Sequence, residues 1–354
     1  MFFQWGRFLL SRPGDIDLTC LAGHDFPHAG AARKPKKRAC FLDPIILFFL
    51  LGVGAGILRS ELRLPPAVYE LLTVLLLITI GLKGGVELAE QSLGKLLPQI
   101  VGVILMGFLL PLIVYPVLRK IGGFNRANAS SIAAHYGSVS VGTFAVAVAF
   151  LAYNKVEYED YMPLFVVLLE VPAIIVGIVL AQGISKKTQW GKLIHEVFLG
   201  KSIVLLLGGL LIGWIAGPEG VKPLEGLFFD TFKGVLALFL LEMGLITAHQ
   251  ASSLRKYGPF LIGFGIVMPL FFSVIGSGLG FVLGLSVGGT MVLATLAASA
   301  SYIAVPAAMR IAVPGANPAL SLTASLGITF PFNVIFGIPL YYELAKLVIP
   351  AGGV

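Results

Sequence analysis

Charge is scarce in this chain: only 12% of its 354 residues are Asp, Glu, Lys or Arg, about half the share of an ordinary soluble domain. With 57% hydrophobic residues and a mean hydropathy of +0.93, that scarcity excludes a water-soluble globular fold. Cysteine is nearly missing. Cys20 and Cys40 are the only two, and both lie in the N-terminal tail, which excludes a disulfide framework or a Cys-based metal site in the apolar part. Catalytic motifs are missing as well: there is no HExxH, no DDxxD-like acidic cluster, no Walker loop and no GxSxG. The "GLKGG" of residues 81–85 lacks the terminal Gly-Lys-Ser/Thr of a phosphate loop, so an ATP-driven pump would need a separate subunit. The chain therefore reads as a non-enzyme. Alternating ten-residue strands are absent too, which removes an outer-membrane barrel.

What is present is a series of apolar runs, each near the ~20 residues a helix needs to cross a bilayer core. Ten such segments are expected, at 44–58, 66–82, 96–118, 127–152, 161–182, 199–216, 230–248, 258–283, 288–310 and 318–349. The fold class is thus an all-α integral membrane protein embedded in the lipid bilayer. Residues 1–43 differ: Pro, Gly, His and the basic "RKPKKR" (33–38) show no periodicity. We read them as a disordered tail or an upstream extension absent from the working protein.

The longest clearly polar connection falls after the fifth segment, dividing the set in half. This gives a first repeat at 44–182, a cytosolic linker at 183–198 and a second repeat at 199–354. Self-comparison agrees with a duplication. "LLLITIGLKGG" (75–85) matches "LFLLEMGLITA" (238–248), pairing Gly81 with Gly244 and Leu82 with Leu245. "KLLPQIVG" (95–102) and "KYGPFLIG" (256–263) follow shortly after in the two halves, and Pro172 with Gly177 is echoed by Pro331 with Gly337. Because five is odd, two such repeats in series enter the membrane from opposite sides, the inverted arrangement of secondary transporters.

The formal charge of +7 invites a nucleic-acid reading, but its placement points to membrane orientation instead. Alternate loops carry Arg59 and Arg63, Arg119 with Lys120 and Arg126, Lys186 with Lys187 and Lys192, Arg255 with Lys256, and Arg310. The intervening loops, such as "NKVEYED" (154–160), are neutral or acidic. The basic loops face the cytoplasm, and both ends of the ten-helix unit face out; only the basic tail prefers the other side.

Two segments carry polar interruptions. "HYGSVSVGTF" (135–144) sits in the fourth, and "AASASYIAVPAAMR" (297–310) in the ninth. Unpaired backbone groups cost several kcal/mol each in lipid, so a broken helix persists only where protein or a ligand completes its hydrogen bonding. A break near Gly137 to Gly142 would present free N–H groups and a positive dipole end to a small anion. Ser299 and Ser301, followed by the helix-disrupting Pro306, offer the partner break, with hydroxyls and carbonyls for a cation such as sodium. Close helix packing is the alternative reading of such small residues; their matching places in both halves favour a site. Glu170, central in the fifth segment, is read as lining the substrate or ion path, with a protonated or hydrogen-bonded structural role as the alternative. Glu242 is assigned a structural role. His135 is read as an interior hydrogen bonder, and Lys83 and Arg310 as helix-end residues that snorkel.

At these residues the chain resembles the sodium-dependent bicarbonate transporter family first known from cyanobacteria. The matching stretches are "IGLKGGVELA" (80–89), "GSVSVGTFAVA" (137–147), "LEVPA" (169–173), "AASASYIAVPAAMR" (297–310) and "PGANPA" (314–319), in order. The resemblance implies ten helices in two inverted repeats with discontinuous fourth and ninth helices, a homotrimer, and a gate unit beside a mobile core. It implies bicarbonate at Gly137, Ser138, Val139, Ser140 and Thr143, facing Ser299, Ala300 and Ser301, with co-transported sodium near Ser140, Ser301 and Glu170. Localisation would be the bacterial inner membrane, as a multi-pass protein. Cyanobacterial members carry Ser-Ser-Asp where this chain has Ala300, Ser301 and Tyr302, while Glu170 stands in place of an Asp. The short linker weakens the implication of a PII-like regulator. The expectation is sodium-driven import of bicarbonate or a similar small anion, with a carrier of small organic anions and a gated channel or sensor as alternatives.

Overall fold

The computed structural model describes residues 44–91, 93–183, 199–251 and 254–349, together with Gly191 and His195. The tail 1–43 and nearly all of the linker lie outside the described residues, and so do the expectations attached to them. Among the described residues every regular element is a helix, and eight are long and apolar enough to cross a membrane. Two shorter apolar helices accompany them.

In chain order the helices are α1 (Pro44–Ile57), α2 (Pro66–Glu90), α3 (Leu93–Lys120), α4 (Arg126–Gly137), α5 (Val141–Asn154) and α6 (Met162–Gln182). After the linker come α7 (Lys201–Val221), α8 (Phe232–Ala251), α9 (Leu254–Val282), α10 (Val287–Ala297), α11 (Ala304–Ala312) and α12 (Pro318–Val348). Side-chain caps mark several starts. Asn125 accepts the Asn128 N–H at 2.8 Å ahead of α4, and Ser286 accepts the Gly289 N–H at 3.0 Å ahead of α10. Each such cap satisfies one of the amides that a helix start leaves unpaired.

Glycine has two uses here, and they separate the sequence expectation from the fold. Gly217 (φ 63°) and Gly258 (φ 78°) adopt backbone conformations that side chains rarely tolerate, so α7 turns sharply after Ala216 and α9 turns before Pro259. Those turns coincide with the expected segment limits at 216 and 258. Gly84 and Gly85, by contrast, do not end α2, which continues to Glu90 rather than stopping at 82. They are packing residues. Lys83 consequently lies inside the helix rather than at its end, a correction to the sequence reading: its Nζ reaches the Tyr158 hydroxyl at 3.3 Å and lies over that ring.

Two helix pairs cross backbone against backbone. On α2 and α7, a Cβ on Gly85 would overlap the Leu210 carbonyl, and one on Gly81 would lie 2.5 Å from the Leu206 carbonyl. On α1 and α8, Gly52 and Gly244 face each other in the same way, each denied a side chain by the other helix's carbonyls. Without a hydrophobic drive between helices in lipid, such close approach is what holds them. Prolines inside helices find glycine partners too: Pro111 of α3 seats against Gly137, and Pro172 of α6 against Gly107.

Adding a methyl at Gly85 forces backbone to shift, because the obstacles are the Leu210 carbonyl and the Trp214 amide. Gly85→Ala should cost about 1–3 kcal/mol and lower the melting temperature in detergent. Gly208→Ala, at a position with open space around it, should leave melting unchanged or raise it slightly; equal melting of the two variants would refute the close-packing account.

Candidate functional site: two crossed helix breaks

The polar stretch of the fourth segment forms the interruption between α4 and α5. Ser138 is extended, and its N–H donates back to the Ala134 carbonyl at 3.2 Å. Ser140 caps α5: its Oγ accepts the Thr143 N–H at 3.1 Å and the Thr143 hydroxyl at 2.8 Å. The first helical bond of α5 is made by the Phe144 N–H to the Ser140 carbonyl, 3.0 Å. The amides of Val141 and Gly142 therefore precede the helical ladder.

A second interruption separates α10 from α11, between Ala297 and Ala304. The Ser299 N–H and Oγ both donate to the Leu296 carbonyl, at 3.1 and 2.8 Å. At the start of α11 the Val305 N–H lies 3.5 Å from the Ser301 Oγ, and Pro306 has no N–H to offer.

The two breaks complete one another. The Ser140 N–H donates to the Ser299 Oγ at 3.0 Å, and the Ser301 N–H donates to the His135 carbonyl at 2.8 Å. Each break thus gives one amide to the other. Beside this exchange lies a narrow cleft, closed too tightly to admit a water molecule, lined by Val139, Ser140, Val141, Glu170, Ser301, Tyr302 and Ile303. Glu170 reaches it from α6 and is only 1% exposed. Neither its Oε2 nor the nearby Ser138 Oγ has a protein hydrogen-bond partner, an uncommon condition for buried polar groups.

Of the residues singled out from sequence, Val139, Ser140, Ser301 and Glu170 line the cleft. Gly137, Ser138, Thr143, Ser299 and Ala300 are buried around it rather than lining it. Thr143 and Ser299 turn their hydroxyls to the cap and the interlock. Gly137 is confined by Pro111 and Ala173. Tyr302, at the position where an acid was expected by resemblance, places its hydroxyl over Gly142 and its ring edge-on to Phe330 at 5.5 Å. His135 is half satisfied: its Nδ1 meets the Ser131 carbonyl at 2.7 Å, while its Nε2 has no protein partner.

Sequence reading missed the supports supplied by α12. This helix widens into π-type turns at Thr323–Thr329 and Asn333–Gly337. Wider turns turn carbonyls aside: those of Ala324 and Leu326 accept from Tyr136 and Thr247, each at 3.3 Å. The Tyr136 hydroxyl also pairs with Thr329 Oγ1 at 2.6 Å. Asn333 donates its Nδ2 to the Ala298 carbonyl at 2.9 Å and accepts the Tyr341 hydroxyl at 2.7 Å. A lone amide in "FPFNVIFGIP" (330–339) was the available signal.

Among the described residues no group of three or more His, Cys, Asp or Glu side chains converges on a metal-sized point. The cleft instead offers hydroxyls, peptide groups and one carboxylate, hard oxygen donors suited to an alkali or alkaline-earth cation. A family model described as the Na+-dependent bicarbonate transporter superfamily matches residues 44–346. The chain belongs to that superfamily. The match takes in both breaks, Glu170 and Asn333, and the apolar helices make this family member a multi-pass membrane protein. No curated protein matches the chain.

Asn333→Leu would leave the Ala298 carbonyl and the Tyr341 hydroxyl without partners. Each such buried orphan costs about 1–3 kcal/mol, so the variant should melt markedly lower in detergent. Tyr341→Phe, which removes only one bond, should cost less; a neutral Asn333→Leu would show that α12 does not hold the end of α10.

Proposed function

We propose that the chain is a secondary active transporter that carries bicarbonate, or a similar small anion, by sodium symport across a bacterial inner membrane. The observation that carries this reading is the reciprocal pairing of the two breaks beside a cleft holding Glu170. The helix starts following the breaks supply positive dipole ends for an anion, and Ser140, Ser301 and Glu170 supply oxygens for sodium. In this reading bicarbonate lies between the breaks, with Val139, Ser140 and Ser301 lining its site and Gly137, Ser138, Thr143, Ser299 and Ala300 packed around it. Sodium offsets the anion's charge, so the loaded site is closer to neutral than the half-loaded one. Coupling then requires that the doubly occupied site favours a different conformation from the singly occupied one.

The helix contacts support ten crossings in two inverted five-helix repeats. A half-turn that exchanges the first crossing with the sixth and the second with the seventh converts the α1–α8 glycine contact into the α2–α7 contact. Gly81 and Gly244, matched by sequence, occupy corresponding places in those two contacts. The interlocked breaks are exchanged by the same operation. The four glycine-packed helices form the frame, and the remaining helices, with both breaks, form the moving part. We further propose a homotrimer, as in the family resemblance.

The test is uptake of labelled bicarbonate into proteoliposomes with and without an inward sodium gradient. Gradient-driven accumulation is expected; purely downhill flux would indicate a channel and overturn the symport reading. Ser140→Ala and Ser301→Ala should each lower initial uptake at least tenfold in protein that remains monodisperse, and full activity in both would remove these residues from the site. Glu170→Gln keeps shape and burial but replaces the ionisable carboxyl with a neutral amide, so half-saturation for sodium should rise several-fold. An unchanged sodium curve would return Glu170 to a structural role.

A further inference from the structure

The cleft is closed in this structure, so what it admits depends on which of its walls can yield. One wall is held by hydrogen bonds, from the Ser140 N–H to Ser299 Oγ at 3.0 Å and from the Thr143 N–H to Ser140 Oγ at 3.1 Å, and these can be exchanged for bonds to a solute. Another wall is aromatic. Tyr302 lines the cleft from the break between α10 and α11 and is only 7% exposed. Its ring meets Phe330 of α12 edge-on at 5.5 Å, and Phe330 meets Phe49 of α1 edge-on at 5.7 Å. Phe330 and Phe49 are both buried. Edge-on pairs are a favoured aromatic arrangement, and in a close-packed interior the backed ring has no space to swing into.

That ring stands over the start of α5. A Cβ on Gly142 would overlap the Tyr302 hydroxyl and lie 2.9 Å from the Phe239 ring. The first turn of α5, where the amides of Val141 and Gly142 precede the helical ladder, is therefore roofed by two aromatic residues. They belong to different units. Phe239 lies on α8 and stacks on Tyr69 of α2 at 5.9 Å, so its anchor is in the glycine-packed frame. Tyr302 and Phe330 lie in the moving part, together with both breaks. When the site changes sides Phe239 stays behind, whereas Tyr302 travels with the α5 start and bounds it in either orientation.

We propose that the Tyr302 ring sets the size limit of the anion site. It discriminates by clash rather than by lost attraction. Bicarbonate is a carboxylate carrying a single hydroxyl, and it fits beneath the ring once the hydrogen-bonded wall has given way. Lactate carries a branched hydroxyethyl group in place of that hydroxyl, and the group meets a wall that cannot yield. This inference rests on the anion-site reading of the cleft and narrows its substrate class to anions about the size of bicarbonate, against the larger organic anions.

The experiment compares the native chain with Tyr302→Phe, Tyr302→Leu and Tyr302→Ala in proteoliposomes under an inward sodium gradient. Initial uptake of labelled bicarbonate and of labelled lactate is measured for each, and the lactate-to-bicarbonate ratio is read, which cancels differences in the amount of active protein. The native ratio should lie below about one tenth, and Tyr302→Ala should raise it at least tenfold, the discrimination that small changes of pocket size supply. Tyr302→Phe keeps the ring and should stay within twofold of the native ratio. An unchanged ratio in Tyr302→Ala overturns the proposal, as does a native chain that carries lactate as readily as bicarbonate. A ratio in Tyr302→Phe as high as in Tyr302→Ala overturns it too, because selectivity would then belong to the hydroxyl and not to the ring. Should Tyr302→Ala fail to fold, Tyr302→Leu, which keeps an apolar group but is shorter than tyrosine, decides alone, and an unchanged ratio in it has the same overturning force. A native chain that takes up neither anion overturns the parent reading and this one with it, an outcome distinct from native bicarbonate uptake with an unaltered ratio in the variants.

Discussion

Two peptide amides, those of Ser140 and Ser301, decide whether this fold is possible. In hydrocarbon an unpaired backbone group costs several kcal/mol, and each helix interruption creates several of them. The molecule resolves this by letting the interruptions meet, so that Ser140 donates to Ser299 and Ser301 donates to His135. Neither break is satisfied without the other. Everything around them serves to bring the meeting about: Pro111 against Gly137, the Ser140 cap on α5, and Asn333 at the end of α10.

The rest of the molecule divides by the kind of contact that holds it. Where α1 meets α8 and α2 meets α7, carbonyl oxygens lie against glycine backbone. Such surfaces have no side chains to rearrange, so they slide poorly and transmit displacement as a unit. Around the breaks the contacts are hydroxyls, amides and aromatic edges, which can exchange partners. A small solute that enters among exchangeable hydrogen bonds alters them at little strain; the same solute could not part the glycine crossings.

Much of this was legible in the sequence because lipid makes polarity conspicuous. Ser138, Ser140, Ser299 and Ser301 stand out against apolar runs, and Glu170 stands out further. The structure accordingly places Ser140, Ser301 and Glu170 on one cleft. Helix limits at Gly217 and Gly258 were readable too, since the apolar runs end or begin there. Gly84 and Gly85 misled because glycine looks the same whether it ends a helix or admits a neighbour, and only the facing carbonyl of Leu210 tells which. The π-turns of α12 left no periodic trace. Their effect is to re-aim Asn333 and the carbonyls of Ala324 and Leu326, a matter of angle that residue spacing does not record.

The carbonyl ends of the two interrupted helices are secured by unlike groups. That of α4 is held by a backbone amide from the opposite half, at His135, and that of α10 by the side chain of Asn333 from its own half. An exact half-turn relating the two proposed repeats would require these fastenings to be identical, and they are not. For the carrier proposed above, unlike fastenings give the empty protein two orientations of unequal free energy, so that its preference for one side of the membrane is set before any gradient acts on it.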